Sequence, residues 1–464
     1  MTILWMISTV MSSSFKVKLL IVAIPFGAAA IVNLPALGGA SIIGAAFIAA
    51  MLIGERILLF VISAKLIVRY KKTITNHIFN FMIAYFVVCT LVFPIVFDSN
   101  VLVFSLDRSK AGISIDDRII STVVPLQFGI SNVVQLCYFL LSMFLFKYLT
   151  TTKQYFTPQI LHSGLVLAGT INIILGTVDL LELDGLLVHL RTANYAILDF
   201  HQINGLPRII GGFPEASTFG SFSVVMAAYF CIYCRRCYGR IEYSLFLLNF
   251  IFAVMSFSST AYLGLFVLLL LNAYQGSRQT FITGTRAEKI VGLLKCIIYF
   301  LCIPPMMYLA LKVPQIADLL DKLILNKSES NSALERGMWA TYGFRAFVES
   351  YGLGVGVGSL RANGWFSVYL GSVGLIGTLA ILLFYIRCMR NALILHLKTP
   401  YRKIHDGKNM ENIGAHKIVF MSCGATLVVL FAMSVASSTS PNPGVLTILL
   451  MSACWRYRES LGLE

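Results

Sequence analysis

Apolar runs of about 20 residues recur along this whole sequence, and they restrict its fold more than any other feature. A run of this length crosses the hydrocarbon core of a bilayer as an α-helix, whereas membrane barrels produce short segments of alternating polarity. The chain is 58% hydrophobic and only 12% charged, while soluble domains carry about 25% charged residues. We therefore predict an all-α polytopic membrane protein, a single membrane domain over residues 1–464, with about 12 transmembrane helices. The predicted spans are 17–34, 39–66, 78–97, 127–149, 159–179, 216–234, 243–257, 259–274, 290–311, 366–386, 417–436 and 442–455.

Basic residues are distributed unevenly between the two sides that these spans define. The even-numbered loops and the two termini carry 23 Lys and Arg against 6 Asp and Glu, and the odd-numbered loops carry 11 against 14. Because cytoplasmic loops are enriched in Lys and Arg, both termini are predicted to face the cytoplasm. Topology and anionic lipid headgroups then account for the formal net charge of +15, so no nucleic acid partner is predicted.

Two large loops lie on the opposite, outer side, at about 180–215 and about 312–365. An enzyme that acts on an external substrate carries its functional residues on such loops, whereas a transporter has no need of two large loops on one face. The sequence also shows no repeat that divides it into two similar halves, as the sequences of many transporters do. We expect the functional site, and short helices, within these two loops.

The first loop ends in the sequence RIIGGFPEASTFG, residues 208–220, directly before an apolar run. Arg208 lies on the side where membrane topology calls for few cations, which favours binding over simple anchoring at the interface. Pro214 suits the first turn of a helix, and Glu215 is then a first-turn acid that the helix dipole stabilises. Glu215 is alternatively a general base, and His201, earlier in the loop, is the other candidate for that role.

A helix is predicted in the second loop, where Ser332 and Glu335 have the spacing of a capping box. This start places Arg336 in the first turn, beside free backbone N–H groups that favour a phosphate. Arg345 is on the opposite face of the same helix and has an acidic partner one turn further on. Arg336 is therefore the stronger candidate for an anionic substrate, and Arg345 competes with it only if the helix breaks at Gly343.

Four glycines at alternating positions follow this helix, in the sequence GLGVGVGS at 352–359. Their spacing, and the lack of a βαβ unit around them, exclude a dinucleotide-binding fingerprint. We predict a flexible strap whose backbone approaches a ligand or the bilayer. Gly354, Gly356 and Asn363 are its predicted substrate-binding residues.

Three stretches resemble the O-antigen polymerase and O-antigen ligase superfamily, which are bacterial inner-membrane glycosyltransferases acting on lipid-diphosphate-linked glycans. The stretches are RIIGGFPEASTFG at 208–220, SFSSTAYLGLFVLLL at 256–270, and the segment 335–377, which begins ERGMWATYGFRAF. The PEAS form of the first stretch is most similar to exopolysaccharide polymerases. Polymerases of this superfamily carry an arginine followed at a set distance by a glycine. Arg345 with Gly356 resembles that pattern, and Arg208 with Gly220 resembles it with one residue more.

The resemblance implies roles for several of the residues chosen above. It implies that Arg208 and Arg336 contact the substrate diphosphate, and it keeps Arg345 as a third candidate for this contact. Ligases of the superfamily have an acceptor-activating histidine near the position that Asn363 occupies, whereas the loop 312–365 of this chain contains no histidine. This departure favours a polymerase over a ligase and leaves Glu215 and His201 as candidates for the general base.

The implied function is a polysaccharide polymerase at the periplasmic face of the bacterial inner membrane, making O-antigen or exopolysaccharide. The resemblance implies transfer of an undecaprenyl-diphosphate-linked oligosaccharide onto the sugar end of another lipid-linked repeat unit, with inversion at the anomeric carbon. Arginine supplies the counter-charge to the leaving diphosphate, so no cofactor is predicted. No metal is predicted either, because the C-x-x-C-x-x-C run at 231–237 has no fourth ligand nearby.

The predicted partners are the lipid-linked oligosaccharide and the bilayer, and it stays open whether a chain-length regulator also binds. Two alternatives to the polymerase remain. The first is an O-antigen ligase, which uses the same donor and transfers the glycan to lipid A-core. The second, from a different class, is a lipid-linked glycan flippase or other transporter, which is expected to place ionisable residues along a midplane cavity.

Overall fold

The computed structural model describes residues 11–34, 40–63, 74–104, 112–115, 118–120, 123–152, 154–194, 202–203, 206–237, 239–283, 331–399 and 413–460. Over these residues the chain forms thirteen helices and four two-stranded antiparallel sheets. The helices are α1 (Ser13–Val22), α2 (Gly44–Ser63), α3 (Ile74–Val96), α4 (Ile130–Thr151), α5 (Pro158–Leu180), α6 (Asp184–Leu187), α7 (Ala216–Cys234), α8 (Arg240–Met255), α9 (Ser259–Thr283), α10 (Asn331–Glu349), α11 (Trp365–Lys398), α12 (Ile413–Ser437) and α13 (Gly444–Ser460). The strands are β1 (Ala30–Leu34), β2 (Ala40–Ile43), β3 (Leu102–Phe104), β4 (Gly112–Ile115), β5 (Arg118–Ile120), β6 (Val123–Pro125), β7 (Gln202–Ile203) and β8 (Leu206–Pro207).

Six helices in the described part of the chain are long and apolar enough to cross a membrane, judged by length and composition. They are His77–Val96 in α3, Ile130–Thr151, Pro158–Leu180, Ala216–Cys234, Trp365–Lys398 and His416–Ser437 in α12. Large apolar side chains on the outer surface of these helices are exposed, as Val88 and Ile95 of α3 show. A predominantly helical, membrane-embedded protein is therefore confirmed. The count of twelve spans, the two outer loops and the orientation of the termini stay predictions, and the predicted span 290–311 lies outside the described residues.

The predicted span 17–34 is wrong as a continuous helix, whereas the predicted span 39–66 corresponds to α2, which begins five residues later, at Gly44. Helix α1 ends at Val22, three residues before Pro25, which has no N–H to continue the helical hydrogen bonding. The chain then forms the antiparallel pair of β1 and β2 before α2 begins. Apolar composition alone cannot separate a helix from such a hairpin, because both bury the same side chains.

Helix α7 lies at the centre of the bundle and α3 at its edge. The apolar window of α7 is 72% buried inside the protein, against 33% for α3. Helix α7 packs against α8, α9 and α12. Next to it, Asn172 of α5 donates to the hydroxyl of Ser223 at 2.9 Å and to Oδ1 of Asn249 at 3.0 Å. Buried hydrogen bonds of this kind hold helices together in a membrane. Apolar side chains contribute less there, because they contact lipid as favourably as they contact another helix.

The helix termini meet at two opposite ends of the bundle. At the end that we call the basic end, the end of α7 contacts the end of α11 through Arg236 and His396, 3.1 Å apart. The end of α13 reaches the end of α4 at the same place, since Arg456 donates to the carbonyl oxygen of Thr152 at 3.1 Å. The opposite end is built from the end of α5 and the starts of α7, α9 and α11. Arg208 and Arg336 lie there.

Candidate functional site

A buried ion pair holds the backbone that follows Arg208. Arg191 Nη2 donates to Asp179 Oδ1 at 2.5 Å, and the two side chains are only 6% and 10% exposed. Nε and Nη2 of Arg191 also donate to the carbonyl oxygen of Gly211, at 3.1 and 3.0 Å. Asp179 Oδ2 accepts from the backbone N–H groups of Ile210 and Gly211, at 2.7 and 3.0 Å. These charge-assisted bonds fix the chain two residues after Arg208.

The two glycines that follow are required by close packing. Gly211 has φ +54°, in the left-handed region that glycine adopts at little cost. A Cβ atom at Gly212 would overlap the carbonyl oxygen of Pro25 and lie 2.8 Å from Leu175 Cδ1. The carbonyl oxygen of Gly212 accepts from the N–H of Ala28 at 2.8 Å. The glycine pair therefore sets the segment against α5 and against the turn after α1.

Arg208 is half-buried between this segment and the turn that joins α8 to α9. Its Nη2 lies 3.5 Å from the carbonyl oxygen of Phe257, at the outer limit of a hydrogen bond. Its Nε is buried and has no hydrogen-bond partner among the residues that the structure describes. Burial lowers the pKa of the Arg208 guanidinium, the Glu215 carboxylate raises that pKa, and Arg336 lowers it. Arg208 therefore lies within electrostatic range of both Glu215 and Arg336.

Glu215 is the N-cap residue of α7, so the expectation of a first-turn acid after Pro214 is wrong by one position. Its backbone is extended, with φ −153° and ψ 156°, and helical geometry begins at Ala216. Its side chain makes no capping bond to the helix backbone and instead accepts a hydrogen bond from the Ser217 hydroxyl. The free backbone N–H groups at this helix start therefore have no bond from Glu215. Its role as a general base stays a prediction.

Helix α10 carries its two arginines on opposite faces. The helix begins at Asn331, one residue before the predicted cap, and continues unbroken through Gly343. Arg345 is 47% exposed, and its Nε donates to Glu349 Oε1 at 2.5 Å. Arg336 is half-buried and acts electrostatically on Arg208. Arg336 therefore lies within electrostatic range of Arg208, whereas Arg345 is on the opposite face of α10.

Small residues let α10 pack closely onto the start of α11. A Cβ atom at Gly343 would lie 2.9 Å from Cβ of Ala362, and one at Gly371 would lie 2.7 Å from the carbonyl oxygen of Gly343. The Ser367 hydroxyl donates to the carbonyl oxygen of Ala340 at 2.9 Å. Gly343 thus serves helix packing and does not break α10.

Arg361 is a third arginine near this place, and the sequence analysis did not single it out. Its guanidinium carbon lies 3.9 Å from the centroid of the Trp339 ring, a cation–π contact. Trp339 follows Arg336 by one turn on the packed face of α10. The backbone N–H of Arg361 donates to the carbonyl oxygen of Phe104 at 2.9 Å, which ties its chain segment to β3. Arg361 could have been found by the criterion that selected Arg208, because it is also a cation in a predicted outer loop, where membrane topology calls for few cations.

The glycine strap, residues 352–359, packs inside the bundle, so the expectation of a flexible loop is wrong. Gly354 and Gly356 are buried and have φ +82° and +90°. A Cβ atom at Gly354 would lie 2.5 Å from the backbone nitrogen of Gly374, and one at Gly356 would lie 2.8 Å from Pro94 Cγ. Backbone packing and left-handed φ angles therefore explain these glycines.

Helix α11 is interrupted where the strap meets it. Gly374 has φ +65° and ψ −169° within the helix, so the first turns of α11 and its remainder are separate helical segments. The strap fills the break, because the N–H groups of Val355 and Gly356 donate to the carbonyl oxygens of Gly371 and Ser372 at 2.9 and 2.8 Å. A substrate contact by Gly354 or Gly356 stays a prediction.

The remaining predicted residues are not brought to Arg208 by any contact in the described ranges. Asn363 Nδ2 lies 3.4 Å from the carbonyl oxygen of Ala436, and its Oδ1 is buried with no partner among the described residues. His201 lies outside the described residues. In the part of the chain that the structure describes, no group of three or more His, Cys, Asp or Glu side chains is arranged to hold a metal ion.

The side chains at this end of the bundle carry two positive charges and one negative charge, and the net positive charge can bind an anion. Arg208 and Arg336 come from different segments and lie within electrostatic range of each other, and Glu215 adds one carboxylate within range of Arg208. We call these three residues the Arg208–Arg336 site. No protein-family model matches this chain, and no curated protein matches it.

Proposed function

We propose that this chain is a metal-independent polysaccharide polymerase of the bacterial inner membrane. It transfers the glycan of an undecaprenyl-diphosphate-linked oligosaccharide onto the sugar end of another lipid-linked repeat unit, and the Arg208–Arg336 site binds the diphosphate. In this proposal the chain spans the membrane twelve times, with both termini in the cytoplasm and the site at the periplasmic face. The resemblance of three stretches to the O-antigen polymerase and ligase superfamily supports the reaction class.

The electrostatic proximity of Arg208 and Arg336 is the observation that carries the proposal. Each guanidinium is half-buried, and the charge of Arg336 disfavours the charged form of Arg208. Bringing two cations together costs free energy unless an anion offsets their repulsion. Glu215 offsets one of the two positive charges, and the remaining positive charge attracts an anionic ligand. The diphosphate of a lipid-linked sugar is such a ligand.

The same arrangement favours the departure of that diphosphate. When the bond between the anomeric carbon and the diphosphate oxygen breaks, the bonding electrons move to the oxygen. Guanidinium groups already positioned beside that oxygen stabilise the transition state more than the ground state. The unpartnered Nε of Arg208 is one donor that no described residue occupies.

Glu215 is the proposed general base. The acceptor hydroxyl oxygen forms the new bond to the anomeric carbon and transfers its proton to the Glu215 carboxylate. Attack on the face opposite to the leaving diphosphate inverts the anomeric centre. The hydrogen bond from Ser217 orients the carboxylate, and the extended backbone at the N-cap places it outside the helix.

The test is polymer formation by the purified full-length protein, given lipid-linked repeat units in detergent without lipid A-core. We expect a ladder of polymer from the wild type and none from Arg208→Ala or Arg336→Ala. Arg345→Ala is the matched control, because it removes an exposed arginine from the opposite face of α10 and is expected to keep the ladder. Wild-type chain length in the Arg208 and Arg336 variants contradicts diphosphate binding at this site.

Two other outcomes separate the alternatives. Transfer that begins only when lipid A-core is added identifies a ligase. Movement of the lipid-linked repeat across vesicles without any transfer identifies a flippase. Glu215→Gln tests the base, and activity near that of the wild type would assign Glu215 a purely structural role.

A further inference from the structure

Helix α12 lies inside the bundle, yet its last turn is exposed. The helix packs against α7, α9, α11 and α13, and its apolar window is 67% buried. Ala436 is the only exposed residue among the α12 side chains that the structure describes, and Thr439, in the segment that follows the helix, is exposed too. Because four helices surround α12, this exposure indicates a cleft over the end of the helix rather than contact with lipid.

The direction of α12 shows at which end of the bundle the cleft lies. Gly424 packs on Ala392 of α11, near the basic end. Phe431, two turns later in α12, packs on Tyr385, two turns earlier in α11, with ring centroids 5.5 Å apart. Helix α11 ends at the basic end, so α12 runs away from it and ends at the opposite end of the bundle.

The end of α12 lies at the same level as the start of α9. A Cβ atom at Gly264, in the second turn of α9, would lie 2.5 Å from Met433 Sδ, in the last turns of α12. Helix α9 begins two residues after Phe257, whose carbonyl oxygen lies 3.5 Å from Arg208 Nη2. The cleft is therefore beside Arg208 and adjoins the Arg208–Arg336 site.

The loop that joins α12 to α13, residues 438–443, lies at the depth of the bilayer. The Ser440 hydroxyl is 3.5 Å from Gln135 Oε1, and Asn442 Oδ1 accepts a hydrogen bond from the Ser142 hydroxyl at 2.7 Å. These two α4 residues lie about 8 and about 18 Å from the start of that helix at 1.5 Å per residue. Non-helical backbone at such a depth is buried in protein or lines a water-filled cavity. Because its threonine is exposed, this loop lines a cavity that water can enter.

Hydroxyl groups are the polar groups that the loop offers to the cleft. Four hydroxyl side chains are consecutive at 437–440, and no charged residue occurs between Lys417 and Arg456. The Ser438 hydroxyl donates to the carbonyl oxygen of Ser440 at 3.1 Å, which leaves its oxygen as an acceptor. An uncharged surface of hydroxyl groups suits a neutral ligand that carries hydroxyl groups itself.

A small polar cavity adjoins the loop. It has a volume of about 40 Å³, and Trp365, Ser438 and Asn442 are among its lining residues. Trp365 is 1% exposed, and its Nε1 has no hydrogen-bond partner among the described residues. A buried donor of this kind costs free energy until it meets an acceptor, and a cavity of this size admits a water molecule or a single hydroxyl group. A sugar ring is larger than this cavity, so it is expected to lie over the loop, within the cleft.

We propose that the cleft over the end of α12 binds the carbohydrate of the substrate, with the hydroxyl groups of Ser438, Thr439 and Ser440 facing those of the sugar. The choice of carbohydrate rests on the proposed function. In a lipid-linked glycan the first sugar is bonded directly to the diphosphate, so its binding site must adjoin the arginines that hold the diphosphate. The cleft has this position, and its uncharged loop complements the neutral part of the substrate as the arginines complement the charged part.

Thiol labelling of the full-length protein in lipid nanodiscs tests the cleft, with a charged methanethiosulfonate as the reagent and peptide mass spectrometry to resolve each cysteine. Thr439→Cys and Ala436→Cys each place a thiol in the cleft. Native Cys137 is the matched control, because it is exposed at a similar depth on the face of α4 opposite to Gln135, beside the exposed Phe144. We expect the introduced thiols to react at least about tenfold faster than Cys137, since a charged reagent is excluded from hydrocarbon.

Protection from labelling tests the ligand. An undecaprenyl-diphosphate-linked repeat unit, at about ten times its Kd, should slow the labelling of Thr439→Cys about tenfold. Undecaprenyl diphosphate without a sugar should leave the rate unchanged, because it fills only the Arg208–Arg336 site.

Three outcomes overturn the inference. Labelling of both introduced thiols as slow as that of Cys137 shows that no water-filled cleft is present. Protection by neither lipid, or equal protection by both, shows that the sugar does not bind there. Polymer formation together with an unprotected cleft overturns this inference alone. Protection that requires the sugar, in a protein that makes no polymer, supports the cleft and contradicts the proposed function.

Discussion

The ion pair of Asp179 and Arg191 is the feature of the candidate site that can be tested most directly, and Asp179→Asn is the perturbation. The carboxylate accepts three hydrogen bonds, one from Arg191 and two from the backbone of Ile210 and Gly211. Removing one partner of a buried pair costs about 3–5 kcal/mol. With its oxygen at the Oδ2 position, asparagine still accepts the two backbone bonds, but its NH₂ group then faces the Arg191 guanidinium, which keeps only its bonds to the Gly211 carbonyl oxygen. We therefore expect a loss at the lower end, about 3 kcal/mol.

This loss should show in the local opening of the segment 208–213. A cost of about 3 kcal/mol corresponds to a roughly hundredfold larger open population. Hydrogen exchange followed by mass spectrometry measures it at the amides of Ile210 and Gly211, which donate to Asp179 in the folded state. We expect these amides to exchange roughly a hundred times faster in Asp179→Asn than in the wild type.

Glu182→Gln is the matched control, since Glu182 is an exposed acid three residues later at the same end of the bundle. It should leave the exchange of the segment unchanged. The reasoning is refuted if folded Asp179→Asn exchanges the Ile210 and Gly211 amides at the wild-type rate. The measurement needs no substrate, so it tests the architecture of the site separately from the proposed reaction.

Two further predictions concern the strap and the arginine beside it. Gly354→Ala places a Cβ atom 2.5 Å from a backbone nitrogen, at a residue with φ +82°, so we expect it to destabilise the protein by at least about 3 kcal/mol. Gly337→Ala is the control, because its Cβ atom enters open space within α10 and should stabilise the protein by about 0.5–1 kcal/mol. Thermal unfolding in detergent measures both changes. Equal melting of the two variants contradicts the packed strap. Arg361→Gln should lower the free energy of unfolding by about 0.5–2 kcal/mol, because it loses the cation–π contact with Trp339, and thermal unfolding in detergent measures this loss. An unchanged melting temperature contradicts the stacked arginine.

Helix positions were predictable wherever an apolar run continued without a proline. The runs at 127–149 and 159–179 correspond to α4 and α5 within a few residues at each end. The run at 17–34 failed because Pro25 ends helical hydrogen bonding while the composition stays apolar. Hydropathy reports burial of side chains and carries little information on the backbone conformation that buries them.

The relation between Arg336 and Arg345 was also predictable, because helical periodicity is a local property. The 3.6-residue repeat places the two arginines on opposite faces, and the structure leaves Arg345 exposed with Glu349. The role of the strap was not predictable in the same way. Glycines at alternate positions suit a flexible loop and a buried segment with left-handed φ angles equally well. The break of α11 at Gly374 depends on packing against Gly354, which is 20 residues away in the sequence.

The sequence by itself determined that this protein is helical and membrane-embedded, and it identified the loops that hold Arg208, Glu215 and Arg336. These features follow from hydropathy, charge and periodicity, which act over a few turns of chain. Only the tertiary structure decided that Arg336 lies within electrostatic range of Arg208, that Arg361 stacks on Trp339, and that the glycine strap is buried. Those contacts join segments far apart in sequence, so they depend on how the helices pack, and local patterns do not encode that packing.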